Sequence, residues 1–341
     1  MGVVFPGGVG RVAFAETLTR GEPLARPSRS RPGILAAELP ESLKPLVERK
    51  GLTALSRGAL LAAAAIENLA AAEPWVLAES SRADCALVVG TAFGHLESRA
   101  DFHREARHDG VRFVSPILFP NTIINSLAGH AAILYGLRGP NSTVTSGRRS
   151  GLEAILRAAT LLAAGRAPRA IVVGCDEVSR TLLHGLHALE DAQAGSTIVP
   201  GEAAAALLME PESSAPASPC LGRLLGAAER SSVRIGIRQA IVEAMEAALA
   251  DAGLEARAIS RLHLSGRFGG GLGTAEAEAA RDVFGSQTPR AFVQEVFGET
   301  FGTQGVLAAA ATLVGEEGLS LVSSVDTMGA TCAVLGRQRS Y

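Results

Sequence analysis

Residues Gly139 to Gly151 read Gly-Pro-Asn-Ser-Thr-Val-Thr-Ser-Gly-Arg-Arg-Ser-Gly, a strand that runs through a tight turn directly into a helix. Thr143, Val144 and Thr145 give Ser142–Ser146 β character, and apolar residues recur at helical spacing from Gly151 to Leu162. Such a turn aims backbone N–H groups and one side chain into a cleft. Acyl-transfer enzymes place a nucleophile there, and a cysteine at that helix N-terminus would have a lowered pKa and attack thioesters as a thiolate. This chain carries Arg148 and Arg149 in the turn instead, and arginine attacks nothing. Two cations at a helix N-terminus also oppose its dipole, by about 0.3–1 kcal/mol each, so an offsetting group is expected nearby.

The rest of the chain alternates strands and helices. Helical periodicity covers roughly 56–72, 124–136, 151–165, 235–252, 274–284 and 304–314, and compact apolar runs predict strands at 85–90, 142–146, 169–174, 203–209, 261–265, 319–324 and 331–336. That alternation predicts an α/β protein. Five prolines among arginines between residues 20 and 50 read as a surface excursion, and Pro211–Pro219 reads as a linker dividing 1–212 from 213–341. The two parts echo each other weakly, since Ala86–Gly90 and Leu262–Gly266 both end a strand at glycine.

Composition narrows the function classes. With 341 residues, 47% of them hydrophobic, there is ample surface for a large core, and a net charge of −2 gives no reason to expect a nucleic-acid or anionic-membrane partner. No run reaches the ~18 apolar residues of a membrane helix. The N-terminus lacks the pattern of a signal peptide, so a cytoplasmic location is expected. Cys85, Cys175, Cys220 and Cys332 have no paired spacing, which suits a reducing compartment. His184-x-x-His187 lacks a third ligand and Gly269–Gly273 lacks the lysine of a phosphate loop, so neither a metal nor a cofactor is expected. Ser150 reads as a helix cap.

The turn resembles that of the β-ketoacyl synthase family, Gly-Pro-x-x-Thr-Val-x-Thr-Ala-Cys-Ser-Ser-Gly, with the family's cysteine falling on Arg148. Ser115-Pro116, Phe119-Pro120, Asn125, Gly129 and Val172–Glu177 extend the resemblance on both sides. The family's first histidine motif falls on Ser265–Gly269 and puts Ser265 in the histidine position. Its second motif falls on Gln294–Gly305, with Gln294 for lysine and Glu299 for histidine. Met328 takes the position of the family's gating phenylalanine. The resemblance implies a thiolase-like α-β-α-β-α fold of two related halves, with none of the catalytic cysteine, histidines or lysine retained. It also implies that Glu299 faces Arg148, so an ion pair is expected in the former catalytic centre; an anion such as a phosphopantetheine phosphate is the competing partner for these arginines.

Ketosynthases pair through the strand leading into this turn, and residues 115–146 are the best-matched part of the chain. The resemblance therefore implies a chain-length-factor-like subunit, heterodimeric with an active ketosynthase and shaping its acyl tunnel in type II polyketide, aryl polyene or fatty-acid assembly. Phe119, Ile123, Ile124, Leu127 and Met328 are the tunnel or interface candidates, and an acyl carrier protein is a possible second partner. Two alternatives stay open: an enzyme with new chemistry built on Ser150, Ser265, Glu299 and Arg148, and a homodimeric module that binds acyl groups or carrier protein.

Overall fold

The computed structural model describes residues 1–50, 52, 55–192, 198–214, 220–266 and 271–337. Its strands are Gly2–Phe5 (β1), Gly8–Val9 (β2), Arg26–Pro27 (β3), Leu35–Ala36 (β4), Cys85–Gly90 (β5), Asn141–Val144 (β6), Arg169–Asp176 (β7), Ala203–Met209 (β8), Gly222–Ser231 (β9), Arg261–His263 (β10), Arg290–Ala291 (β11), Gly318–Asp326 (β12) and Gly329–Arg337 (β13). The helices are Arg11–Arg20 (α1), Arg57–Ala72 (α2), Glu79–Arg82 (α3), Leu96–His108 (α4), Ser126–Tyr135 (α5), Ser150–Ala163 (α6), Arg180–Ala192 (α7), Ile237–Asp251 (α8), Gly271–Phe284 (α9), Gln294–Phe297 (α10) and Gln304–Val314 (α11).

β5, and β7 between Ala170 and Cys175, are apolar throughout because both of their faces are covered, so they show no alternation. They sit in a sheet ordered β2-β1-β8-β7-β5-β6; a second sheet is ordered β11-β10-β12-β13-β9. In both sheets three parallel strands are followed by two antiparallel ones: β6-β5-β7 then β8 and β1, against β11-β10-β12 then β13 and β9. β5 and β10, the strands of the weak sequence echo, hold the same place in their sheets. The repeat is therefore one of topology, far clearer in strand order than in residue identity.

Helices α6 and α11 pack between the sheets, α2 and α5 cover the outer face of the first, and α8 and α9 that of the second. This is the α-β-α-β-α layering of the thiolase-like fold. One apolar core, holding Leu152, Ile155, Val306, Leu307 and Val322, fills the space between the sheets, and two further cores lie beneath the outer helices. Among the described residues no single helix is long and apolar enough to cross a membrane.

The excursion over residues 20–50 corrects the sequence expectation in part. Ala36, Ala37, Leu39, Leu43 and Val47 within it are buried, the last three in the core beneath α2 and Ala36 against Val178 and Leu183. Arg57, the first residue of α2, pins the segment by donating to the carbonyl oxygens of Leu39, Pro40 and Glu41 and to the buried Glu202 carboxylate. Of the expected linker, residues 215–219 lie outside the described residues, as do 267–269 of the first histidine motif and 269–270 of the expected glycine-rich loop; Gly271 to Gly273 open α9.

Candidate functional site

Where β6 ends, a single 3₁₀ turn, Gly147–Arg149, leads into α6. Gly147 has φ +58°, a left-handed conformation that glycine adopts without steric penalty. Ser150 does not cap the helix as expected: Arg149 is the N-cap residue and Ser150 the first helical one. The Ser150 hydroxyl instead donates to Gly147 O at 2.6 Å and accepts from Ser146 N at 2.8 Å, so it closes the turn. Its complete burial follows from that role. Ser150→Ala leaves both backbone groups short of a partner and should lower the unfolding free energy by about 1–3 kcal/mol in a urea titration; an unchanged midpoint would show that the turn holds itself.

Glycines let neighbouring elements meet at this turn. A Cβ on Gly90 would come within 2.5 Å of Ser150 O, and one on Gly151 within 2.3 Å of Gly302 O. The end of β5, the start of α6 and the Phe301–Thr303 turn before α11 are therefore in direct contact, and that contact places Glu299 at the elbow.

Arg148 Nε stands 3.6 Å from Glu299 Oε1, an ion-pair distance, with the arginine side chain 18% and the glutamate 3% exposed. Glu299 Oε1 also accepts from Phe301 N at 2.8 Å. Phe301 has φ +48°, unusual for a bulky residue, and its backbone bond to Glu299 helps to hold it there. Burial pushes the Glu299 carboxyl up to about 7, against the opposing pull of Arg148 and the Phe301 N–H; the neighbouring Asp176 adds to the rise. Asp176 is itself fully enclosed and lifted to about 6 by burial, although Thr91 Oγ1 and the N–H groups of Ala92, Phe93 and Gly302 all donate to it. Sequence reading passed over Asp176, a charged residue ending an otherwise apolar strand.

Arg149 turns the other way. It pairs with Glu153 one helical turn on and, at 3.1 Å, with Asp326, which ties the elbow to the β12–β13 turn. Asp326 Oδ1 accepts from Met328 N, and Thr331 Oγ1 donates to Glu153, so the same network holds both ends of that turn. The two arginines are thus each matched by carboxylates, which offsets their unfavourable place at the N-terminus of α6.

Ser265 and Gln294 form a separate cluster. Ser265 Oγ donates to Glu276 Oε1 at 3.1 Å and accepts from Val325 N, Ser323 Oγ donates to the same glutamate, and Gln294 Nε2 donates to Ser265 O at 2.6 Å. Every polar contact of the Ser265 hydroxyl is internal and the residue is fully buried. Together with Ser150 it lacks an exposed, base-activated hydroxyl, which weighs against new chemistry built on these serines.

The tunnel and interface candidates divide. Phe119, Ile123 and Met328 are exposed, and Ile124 is half-buried against Gly94. Leu127 differs from the others: at 1% exposure it belongs to the core beneath α2, packed on Gly58. It lies on the inward face of α5, which the apolar sequence of that helix does not reveal.

The profile of the family described as beta-ketoacyl synthase, N-terminal domain, matches residues 1–215. The 3-oxoacyl-[acyl-carrier-protein] synthase 2 of Vibrio cholerae is 35% identical over 104 residues, 30% of this chain and 25% of the relative; that of Vibrio harveyi is 33% identical over 106 residues, 31% and 26%. The matched stretch thus spans about a quarter of these curated relatives. Among solved structures, "The ishigamide ketosynthase/chain length factor" superimposes with TM-score 0.82 at 24% identity over 99% of this chain and 98% of that one. A β-ketoacyl synthase from Burkholderia phymatum gives 0.85 at 20% identity, covering 99% and 98%. The ketosynthase ApeO in complex with its chain length factor ApeC from Xenorhabdus doucetiae gives 0.77 at 21%, covering 99% and 96%. At those identities the superpositions establish the shared thiolase-like fold, and with the profile match over most of the chain they lead to one assignment: this protein belongs to the β-ketoacyl synthase family.

Proposed function

We propose that this chain is a ketosynthase-like subunit that does not itself condense acyl units but pairs with an active ketosynthase and helps to shape its acyl tunnel, as a chain length factor would. The observation that carries this reading is the filled elbow. At the position that the resemblance assigns to the nucleophile, Arg148 is paired with the buried Glu299 instead of standing ready to react. Ser265 and Gln294, in two further catalytic positions, are committed to structural hydrogen bonds. Conservation of the scaffold with loss of the reacting groups suits a protein that contributes a surface.

Such a surface is available. β6 is an edge strand of the first sheet, and the neighbouring 3₁₀ segment Pro116–Thr122 exposes Ile117, Leu118 and Phe119. An unpaired edge beside exposed apolar side chains is a standing invitation to pair with another sheet. The partner in this reading is a ketosynthase, and solved relatives by name include such pairs. An acyl carrier protein would visit the assembled pair.

Co-expression with a ketosynthase encoded beside this chain tests the reading. The expected result is a 1:1 complex on size exclusion and an altered product length when Phe119 or Met328 is exchanged for a smaller or larger side chain. A chain that elutes only with itself, and whose deletion leaves the products unchanged, would overturn it.

A further inference from the structure

Helix α4 is electrically two-sided. Glu97 and Asp101 face α7, where Arg180 pairs with both and Thr181 N donates to Glu97. Arg99, His103 and Arg107, spaced at i, i+4 and i+8, form a stripe along another face. Arg112 continues the cationic character just past the helix. No residue of α4 is buried, and a crevice of about 480 Å³ opens along the side lined by Ala100, His103, Arg104, Arg107 and His108.

This charge borders the apolar surface already described. Phe102 of α4 lies 6.0 Å, ring to ring, from Phe119, and between helix and edge strand Phe113 is 77% and Ile117 74% exposed. Apolar residues rimmed by charge are the usual anatomy of a protein interface. The rim is strongly biased in sign. Over residues 99–144, Asp101 and Asp109 are engaged by Arg104 and His108, which leaves Glu105 as the one acid without a cation partner among the described residues. Arg99, Arg107, Arg112 and Arg138 make no ion pair among those residues.

We propose that this patch selects a non-identical subunit whose facing rim is acidic, and that the α4 stripe steers that subunit into place. The inference rests on the subunit reading above and adds the chemistry of the partner. A symmetric pair of identical chains presents the same patch from both sides, so four unmatched arginines per chain would face a surface equally short of carboxylates. An acid-rimmed partner removes that repulsion and gains long-range attraction, which acts mainly on the association rate.

The test measures association of the purified chain with its co-encoded ketosynthase by stopped-flow at about 50 mM and 500 mM salt, for the wild type, for Arg99→Glu/Arg107→Glu/Arg112→Glu, and for the three arginines changed to Gln. The wild-type rate should fall about tenfold with salt, the Glu variant should be at least tenfold slower at low salt, and the Gln variant should lie between. Arg107 and Arg112 are exposed and Arg99 is half-buried, and an unchanged thermal midpoint confirms that the variants fold. A complex that forms at the same rate in all three, regardless of salt, overturns the steering proposal and leaves the subunit reading intact. Loss of carrier-protein capture with normal subunit pairing also overturns it. No complex under any condition overturns both.

Discussion

Glu299→Gln should make the protein more stable at pH 8 and leave it unchanged near pH 5. The native carboxyl is pushed up to about 7 by burial, from an ordinary value near 4.5, so between those pH values the folded chain holds a proton that the unfolded chain has released. Stability from this group is fully present below about pH 4.5 and is lost as pH rises through 7, a total of about 3 kcal/mol. Glutamine keeps the shape and cannot ionise. Urea midpoints at pH 5, 6, 7 and 8 should therefore fall less steeply in the variant, with the difference from wild type growing toward pH 8. Asp176 and Glu177, raised to about 6 and about 7 mainly by burial, keep a residual slope of the same sign in both proteins. Parallel profiles would mean that the Arg148 pair holds Glu299 ionised across the whole range.

Arg57→Ala should be among the most damaging single changes outside the cores. Its guanidinium donates to both oxygens of Glu202, at 2.5 and 2.6 Å, and the glutamate side chain is fully enclosed. Removing the arginine leaves a buried carboxylate with, among the described residues, only the Leu39 N–H, and releases the carbonyls of Leu39, Pro40 and Glu41. A loss of about 3–5 kcal/mol is expected, with proteolytic cleavage newly admitted between residues 20 and 50. The double change Arg57→Ala/Glu202→Ala should recover part of that loss, because the uncompensated charge is then gone. A single variant within about 0.5 kcal/mol of wild type would show that water replaces the arginine.

Most of the elements legible in the sequence are those whose environment is uniform. β5, β8 and the interiors of β7 and β13 are enclosed apolar runs, β12 is enclosed throughout its middle, α2 and α11 are long apolar helices and α6 and α8 are amphipathic, so each declares itself locally. α4 went unread because it buries nothing, and β9 because it is an edge strand with mixed exposure. The short buried anchors between residues 36 and 47 went unread among prolines and arginines, since the groups that hold them in, among them Arg57, Glu202 and the Pro200–Gly201 backbone, are distant in sequence.

The turn that opened the sequence illustrates the division. From residue order alone came the strand–turn–helix elbow, the absence of a nucleophile at Arg148 and the family whose motifs surround it. Residue order also pointed to Glu299 as a partner, but only through the resemblance. The tertiary structure decided that Arg149 is bound to Glu153 and Asp326, that Ser150 closes the turn instead of capping the helix, and that Ser265 and Leu127 face inward. The physical reason is range. Backbone preference and periodicity act over a few residues, whereas ion pairing and burial depend on which of two sheets and five layers brings distant residues together, and that information is not local.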